Sequence, residues 1–446
     1  MNLDKYQLEA VHNIGNTLLI AGAGSGKTTT ILKRIEYLIE SNIFKVDEIL
    51  VISFTNKSVD DLKKRCKYQV NIKTFHKLAM EILEEYNINY KLVSEDYLLF
   101  LTNEFFITLT DTSLIQEILK YFGYYNYQDF LKTYTYKEFI KLICNLIKLY
   151  KANNLTKDDI KNLFKIDNFI SKYMYIIFCK YNQELKSFNG FDFDDLILEA
   201  TKIISKKSKY KHIIIDEFQD TSLIRFNLIN KIRVINNATL FCVGDDYQSI
   251  YHFSGSDINL FLKFKEYIKD AKVMKLKYTY RNSQELINAS TSFVMKNNKQ
   301  LKKELISNKH IDKPIKFIYY INPYKAFKKL YKELRNNNLL VLGRNNFDIK
   351  KFSKENIPEF MSVHSSKGLE ADNVILINMV DDLYGFPNKL INSKLIEELH
   401  PSDKSYIYAE ERRLFYVALT RTKNYVYILV PIFKKSKFIK EVRHLL

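Results

Sequence analysis

The chain has no tryptophan, and its 446 residues include only 11 glycines, 6 prolines and 4 cysteines. The cysteines (Cys66, Cys144, Cys179 and Cys242) are scattered and form no C-x-x-C pair. That argues against a zinc or iron–sulfur site and fits a reducing cytoplasm. No apolar run is long enough to span a membrane, and the opening MNLDKYQLEA does not read as a signal peptide. A cytoplasmic location with no membrane partner is therefore expected. No internal repeat or low-complexity linker stands out. Glycine and proline are scarce while Lys, Asn, Ile, Tyr and Phe abound, the skew that AT-rich coding gives a whole proteome. Arginine is rare under the same bias, so an arginine inside a motif marks a place where its planar fork is needed.

What is present bounds size and partner. At about 150 residues per domain, the length suggests about three domains. A hydrophobic content of 46% is ample for sizeable cores. The net charge of +18 points to a polyanion, nucleic acid first among them. Coding skew accounts for part of the lysine excess, so the charge supports that reading without carrying it.

The segment AGAGSGKTTT, Ala21 to Thr30, carries more. It comprises Ala21, Gly22, Ala23, Gly24, Ser25, Gly26, Lys27, Thr28 and Thr29 before Thr30, and departs from G-x-x-x-x-G-K-[ST] only at Ala21. Glycines let consecutive backbone N–H groups turn inward on phosphate oxygens, Lys27 adds a point charge, and the Thr28 hydroxyl can hold Mg²⁺. The ordinary alternative is a glycine-rich turn between a strand and a helix. Context favours the cradle: NTLLI (Asn16–Ile20) reads as a buried strand, and Ile31, Ile35, Leu38 and Ile39 follow at helical spacing.

Short apolar runs recur along the chain as NTLLI, EILVISFT, KHIIID, ATLFCVGDD, LLVLGRN and ADNVILIN. They alternate with helical segments, the pattern of parallel α/β domains. From about Lys77 to Asn189 the chain instead reads as helix after helix, an insertion within the first α/β domain. A second α/β domain is expected from about Leu276 to the C-terminus. HIIIDEFQDT (His212–Thr221) is a strand ending in two carboxylates, with Asp216 suited to Mg²⁺ and Glu217 to polarising an attacking water. Alone, DE after a strand is common; with an upstream phosphate cradle it signals a hydrolase.

Further segments fall into a distinctive order: LDKYQLEAV, ISFTNKSVDDLKKR, TFHKLA, FDFDDLI, VGDDYQSIYHFSG, YTYRNS, VHSSKGLEADNV and EERRLFYVALTRTK. With the P-loop and DEFQDT, the chain resembles the UvrD/Rep/PcrA family of superfamily 1 helicases, and KGLEAD followed by GFP is most similar to the helicase IV branch. The resemblance implies an α/β fold of two RecA-like P-loop NTPase domains with parallel sheets. These would be 1A (1–76 and 190–275, ATP-binding) and 2A (276–446), with a helical insertion domain 1B (77–189) in the first. A further domain of the family, 2B, falls between LGRNN and MSVHSSKG, where this chain has no room for it, so its absence is expected.

The resemblance also implies roles. Gln7 would read adenine and Tyr280 stack on it, while Arg281 and Arg421 would reach the γ-phosphate as fingers. Gln248 would sense that phosphate, and Glu370 would lie near ribose and phosphates. Lys27, Asp216 and Glu217 complete the catalytic set, with ATP and Mg²⁺ as cofactors. Phe54, Tyr251 and Phe253 would stack on bases, while Thr55, Asn56, Lys57, Thr74, His76 and His364 line the strand path. In a chain this rich in Phe and Tyr, any such aromatic is also readable as core, though Phe54, flanked by Ser53, Thr55, Asn56 and Lys57, is less core-like. Departures fall on the DNA side: His252 and Ser254 replace flanking arginines, and Phe253 stands where Trp is frequent.

The implied activity is 3′→5′ translocation on single-stranded DNA and unwinding of tailed duplexes. A motor or switch subunit acting only with a protein partner, such as a nuclease or a repair or phage-defence component, is the alternative. A pure DNA-binding module would need none of Lys27, Asp216, Glu217 and Arg421.

Overall fold

The computed structural model describes residues 3–155, 157–297, 299–389, 395, 406 and 408–445. Eight short strands come first along the chain. These are β1 (Thr17–Ile20), β2 (Ile49–Ile52), β3 (Asn71–Lys73), β4 (Lys91–Leu92), β5 (Gly190–Phe191), β6 (His212–Ile215), β7 (Thr239–Gly244) and β8 (Lys272–Lys275). Six of them form one sheet in the order β3-β2-β6-β7-β1-β8, parallel at every pairing. Strands β1, β2 and β6 are buried on both faces, as parallel strands covered by helices must be, which is why they read as unbroken apolar runs. Alternation still sorts them. Leu18, Ile20, Leu50, Ile52, Ile213 and Ile215 enter one core, while Leu19, Ile49, Val51 and Ile214 enter the core on the opposite face.

Five later strands form the second parallel sheet: β9 (Ile315–Tyr320), β10 (Leu339–Gly343), β11 (Phe360–Ser362), β12 (Ala371–Leu376) and β13 (Thr422–Pro431). Their order is β11-β10-β12-β13-β9. Two parallel α/β lobes are thus present, the RecA-like pair that the sequence implies. Residues 344–359 connect β10 to β11 with one short 3₁₀ turn, Asp348–Lys351.

Between the two halves of the first sheet lies a helical unit. Helices Asp96–Ile107, Thr112–Phe122, Tyr134–Ala152 and Asn168–Ser187 share a core rich in rings, including Phe106, Phe130, Phe139 and Tyr173. The two-residue ladder of β4 and β5 marks where the chain enters and leaves it. The expected boundary at residue 77 cuts through helix Phe75–Glu85. Its apolar stripe of Phe75, Leu78, Ala79, Ile82 and Leu83 packs into the first lobe, so burial ties this helix to the sheet. No single helix among the described residues is long and apolar enough to cross a membrane.

Candidate functional site

In parallel α/β sheets, ligands bind beyond the carboxyl ends of the strands. Four of the singled-out segments sit there: the P-loop after β1, Phe54–Lys57 after β2, Asp216–Glu217 after β6, and Asp245–Gln248 after β7. Gly26 caps helix Lys27–Glu40 in the left-handed region (φ 80°), and Gly24 has φ 70°. A Cβ on Gly24 would lie 2.5 Å from the Arg281 Cβ, so the loop admits close approach of the chain that follows β8. Tyr280 and Thr279 use that approach: the Tyr280 N–H donates to Gly24 O (2.9 Å) and the Thr279 hydroxyl to Ala23 O (2.8 Å).

Lys27 Nζ donates to Glu217 Oε1 at 2.8 Å across the mouth of the cradle. Burial works against the Lys27 charge, but Glu217, Asp216 and Asp245 outweigh it and raise its pKa. Burial likewise opposes ionisation of Glu217, and Lys27 with Lys367 holds it low; Asp216 is pushed up by burial and by the Glu217 charge. Glu217 adopts a left-handed backbone (φ 50°), uncommon for a residue with a side chain and a mark of a constrained site. Gln219 fixes the other carboxylate oxygen, donating from Nε2 to Glu217 Oε2 at 2.6 Å, while its Oε1 accepts from the Asp245 N–H at 2.9 Å.

The second lobe reaches into this arrangement. Arg421, 1% exposed, donates from one Nη to Gln248 Oε1 (3.0 Å), from the other to Leu369 O (3.3 Å), and from Nε to Val417 O (3.1 Å). Burial pulls its pKa down to about 9. Gln248 in turn donates to Asp245 Oδ2 at 2.6 Å. Lys367 ion-pairs with Asp220 and donates to Gln248 O (2.7 Å), and Arg413 Nε donates to Ser249 O (2.6 Å). Arg281 Nε donates to Glu370 Oε2 at 2.7 Å, and Lys423 lies 3.2 Å from the other Glu370 oxygen.

Gln7 and Tyr280, the residues expected at the base, are engaged in contacts within the protein. Gln7 Nε2 donates to Ser25 O (3.3 Å), and its Oε1 accepts from the Asp4 N–H (3.1 Å) in a capping box at helix Lys5–His12. Tyr280 is 57% exposed and its hydroxyl donates to Asp4 Oδ2 at 2.7 Å. Asp4, Gln219, Asp245 and Lys367 went unassigned in the sequence although each lies inside a quoted segment. Lys303, ion-paired with Asp245 and with Asp246 (2.6 Å), belongs to no motif.

Thr28 and Asp216 offer a hydroxyl and a carboxylate, hard oxygen donors of the kind Mg²⁺ takes. The burial that disfavours the Asp216 charge is what a cation would offset. Among the described residues no group of three His, Cys, Asp or Glu could hold a metal alone.

On the expected strand path, Phe54 is half-buried and meets Phe75 edge-on, with ring centroids 5.4 Å apart. Thr55 caps helix Asn56–Arg65, and Thr55, Asn56 and Lys57 are exposed. Thr74 is buried and caps helix Phe75–Glu85, accepting from the Lys77 N–H (3.2 Å). The His76 ring sits 4.9 Å from that of Phe193. Burial and Arg225 lower the His76 pKa to about 4. Tyr251 and His364 meet across the lobes: the Tyr251 hydroxyl donates to His364 O at 3.3 Å, and Lys367 Nζ lies 4.9 Å from the Tyr251 ring. The Phe253 side chain lies outside the described residues.

Two parallel lobes, a glycine-rich phosphate cradle in one and an arginine of the other bonded beside it define a P-loop nucleotide-binding protein with paired RecA-like lobes. The signature of the UvrD/REP helicase N-terminal domain matches residues 3–269 and that of the UvrD-like helicase C-terminal domain matches 346–431; the chain belongs to the UvrD/REP helicase family. It is similar to DNA helicase IV of Escherichia coli, 29% identical over 99% of this chain and 70% of that protein. It is also similar to ATP-dependent DNA helicase Rep of Buchnera aphidicola subsp. Schizaphis graminum, 29% identical over 82% of this chain and 57% of that protein. ATP-dependent DNA helicase PcrA of Staphylococcus epidermidis is 30% identical, over 68% of this chain and 41% of that protein.

Proposed function

We propose that the chain is an ATP- and Mg²⁺-dependent motor that moves 3′→5′ along single-stranded DNA and unwinds tailed duplexes. The observation that carries this reading is the hydrogen bond from Arg421 to Gln248, which links the second lobe to the first beside the Lys27–Glu217 pair. ATP phosphates would compete with Glu217 for Lys27, leaving the Glu217 carboxylate to polarise a water. Arg281 and Arg421 would add charge from the second lobe, so the cleft closes on ATP and opens after hydrolysis. Thr28 and Asp216 would hold Mg²⁺, which supplies charge neutralisation at the phosphates. Gln7 and Tyr280 would receive the base, with Glu370 near the ribose.

On the other surface, Phe54, Thr55, Asn56 and Lys57, with Thr74 and His76, would track the strand in the first lobe. Tyr251, Phe253 and His364 would do so where the lobes meet. The division that goes with this reading is 1A at 1–76 and 190–275, 1B at 77–189 and 2A at 276–446, with the amendment that helix Phe75–Glu85 moves with 1A. The deciding experiment pairs ATP turnover, with and without single-stranded DNA, with streptavidin displacement from each end of a single strand. Turnover should rise with DNA and displacement should occur at the 5′ end only. Turnover indifferent to DNA, or displacement only from the 3′ end, would overturn the reading.

One observation favours a narrower version, in which unwinding depends on a protein partner such as a nuclease or a repair or defence component. Only residues 344–359 join β10 to β11, too few for a domain that could sit over a duplex junction.

A further inference from the structure

Helix Leu223–Asn236 follows DEFQDT directly, and its first turn is unusual. Ser222 is the N-cap residue, yet its hydroxyl makes no capping bond. The Ser222 hydroxyl is buried (1% exposed) and has no hydrogen-bond partner, and the same holds for the Thr221 hydroxyl beside it. Three positions into the helix stands Arg225, one of the few arginines in a lysine-rich chain. Its Nε is buried without a hydrogen-bond partner. What it does touch is the Phe54 ring, with its central carbon 5.5 Å from the ring centroid.

Arg225 is only partly buried, but its Nε is held out of water without an acceptor, and a buried donor left so carries its full desolvation penalty. The charges of Asp194 and Asp220 favour the cation without outweighing its burial. Asp220 is ion-paired with Lys367, and Asp194 is pushed up to about 6 by burial and by Asp192. His76, in electrostatic range of Arg225, also buries an Nε2 with no partner. Unpartnered donors therefore gather at one helix N-terminus, beside the residue expected to carry a base. The free first-turn N–H groups of a helix, two hydroxyls and an arginine fork make an anion site, and the fork suits phosphate bidentately.

We propose that Arg225 is a phosphate-contacting residue of the strand path, set at the N-terminus of helix Leu223–Asn236 and braced against the Phe54 ring. This rests on the reading that the chain binds single-stranded DNA. Arg225 takes the backbone phosphate next to the base that lies on Phe54, so one side chain supports the stacking platform and anchors the strand. Ser222 supplies a further donor to the same phosphate. Because phosphate carries no sequence information, the contact strengthens binding uniformly across sequences.

The test is a salt titration of binding to a fluorescently labelled oligothymidylate, read by anisotropy, with thermal unfolding run on every variant. Arg225→Gln should make the plot of log affinity against log salt shallower by about 0.7, the loss of one single-strand phosphate contact. Arg225→Lys should keep the wild-type slope, while Phe54→Ala weakens binding with the slope unchanged. Were Arg225→Gln unfolded, Ser222→Ala carries the test, with an expected affinity loss of about threefold, one hydrogen bond's worth. A folded Arg225→Gln with the wild-type slope, or an unfolded one with Ser222→Ala at wild-type affinity, overturns the proposal and leaves DNA binding standing. A wild-type chain that does not bind the oligonucleotide at any salt overturns both.

Discussion

Glu217 sits where three demands meet: it answers the Lys27 charge, accepts from Gln219, and holds a left-handed backbone next to Asp216. Glu217→Gln keeps the shape and the hydrogen-bonding reach but removes the charge proposed to polarise water. We expect ATP binding to survive and steady-state turnover to fall about 10²–10⁴-fold, the usual worth of a positioned base. Appreciable turnover in that variant would falsify the assignment of the base. Arg421 poses a geometric question instead. Its fork serves Gln248, Leu369 and Val417 at once, which a lysine ammonium on a flexible stem cannot reproduce. Arg421→Lys should therefore lose most turnover at saturating ATP while its affinity for single-stranded DNA stays near wild type. Near-normal turnover would reduce Arg421 to a link between carbonyls.

The helices around the first sheet are fastened by a residue whose role the sequence hides. Arg34 is fully buried; one Nη donates to Ala10 O (2.8 Å) and Val11 O (3.2 Å), and Nε donates to His212 Nε2 (3.2 Å). His212 must therefore carry its proton on Nδ1 and donate to the Thr239 hydroxyl (2.7 Å); burial, with Arg34 beside it, keeps the ring neutral. The guanidinium also lies 4.1 Å from the Phe241 ring. One side chain thus joins the helix bearing Gln7, the helix that follows the P-loop, and strands β6 and β7. Arg34→Ala leaves buried carbonyls unpaired at about 1–3 kcal/mol each, so we expect a markedly lower Tm. An unchanged Tm would show that water replaces the fork without loss. In the sequence Arg34 is merely one polar letter in a helical stretch, because its partners come from three distant segments. Strands buried on both faces were legible for the opposite reason, since NTLLI and KHIIID announce themselves without partners. The edge strand β8, KVMK, exposes three of its four residues and shows no apolar run at all. The same contrast holds in the site. Lys27, Glu217 and Arg421 stand in motifs whose spacing carries the chemistry, whereas Asp4, Gln219 and Lys303 owe their roles to contacts that only folding makes.

In the proposed reading, motor parts and duplex-handling parts separate: the ATP cleft at Lys27 and Glu217, the arginines reaching it and the first-lobe strand path would all be built from the two lobes. Between β10 and β11, where a domain over the duplex junction would be inserted, residues 344–359 turn back at once. Movement along a single strand needs only the parts that are present, whereas parting a duplex also needs something to hold or direct the junction. We therefore expect intact translocation with weak unwinding by the isolated chain. Unwinding should improve with a 3′ single-stranded tail, which gives the motor a track to load on, or with a partner protein at the junction. Both activities should weaken as salt rises, because a basic groove releases counterions as it neutralises phosphates. The measurement is a pair of assays on one preparation: streptavidin displacement from single strands, and unwinding of a duplex carrying the same strand as its tail. A large ratio of displacement to unwinding is the expected outcome. Robust processive unwinding by the lone monomer would mean that the helical unit or the lobes themselves manage the junction, and the inference from the short connection would fall.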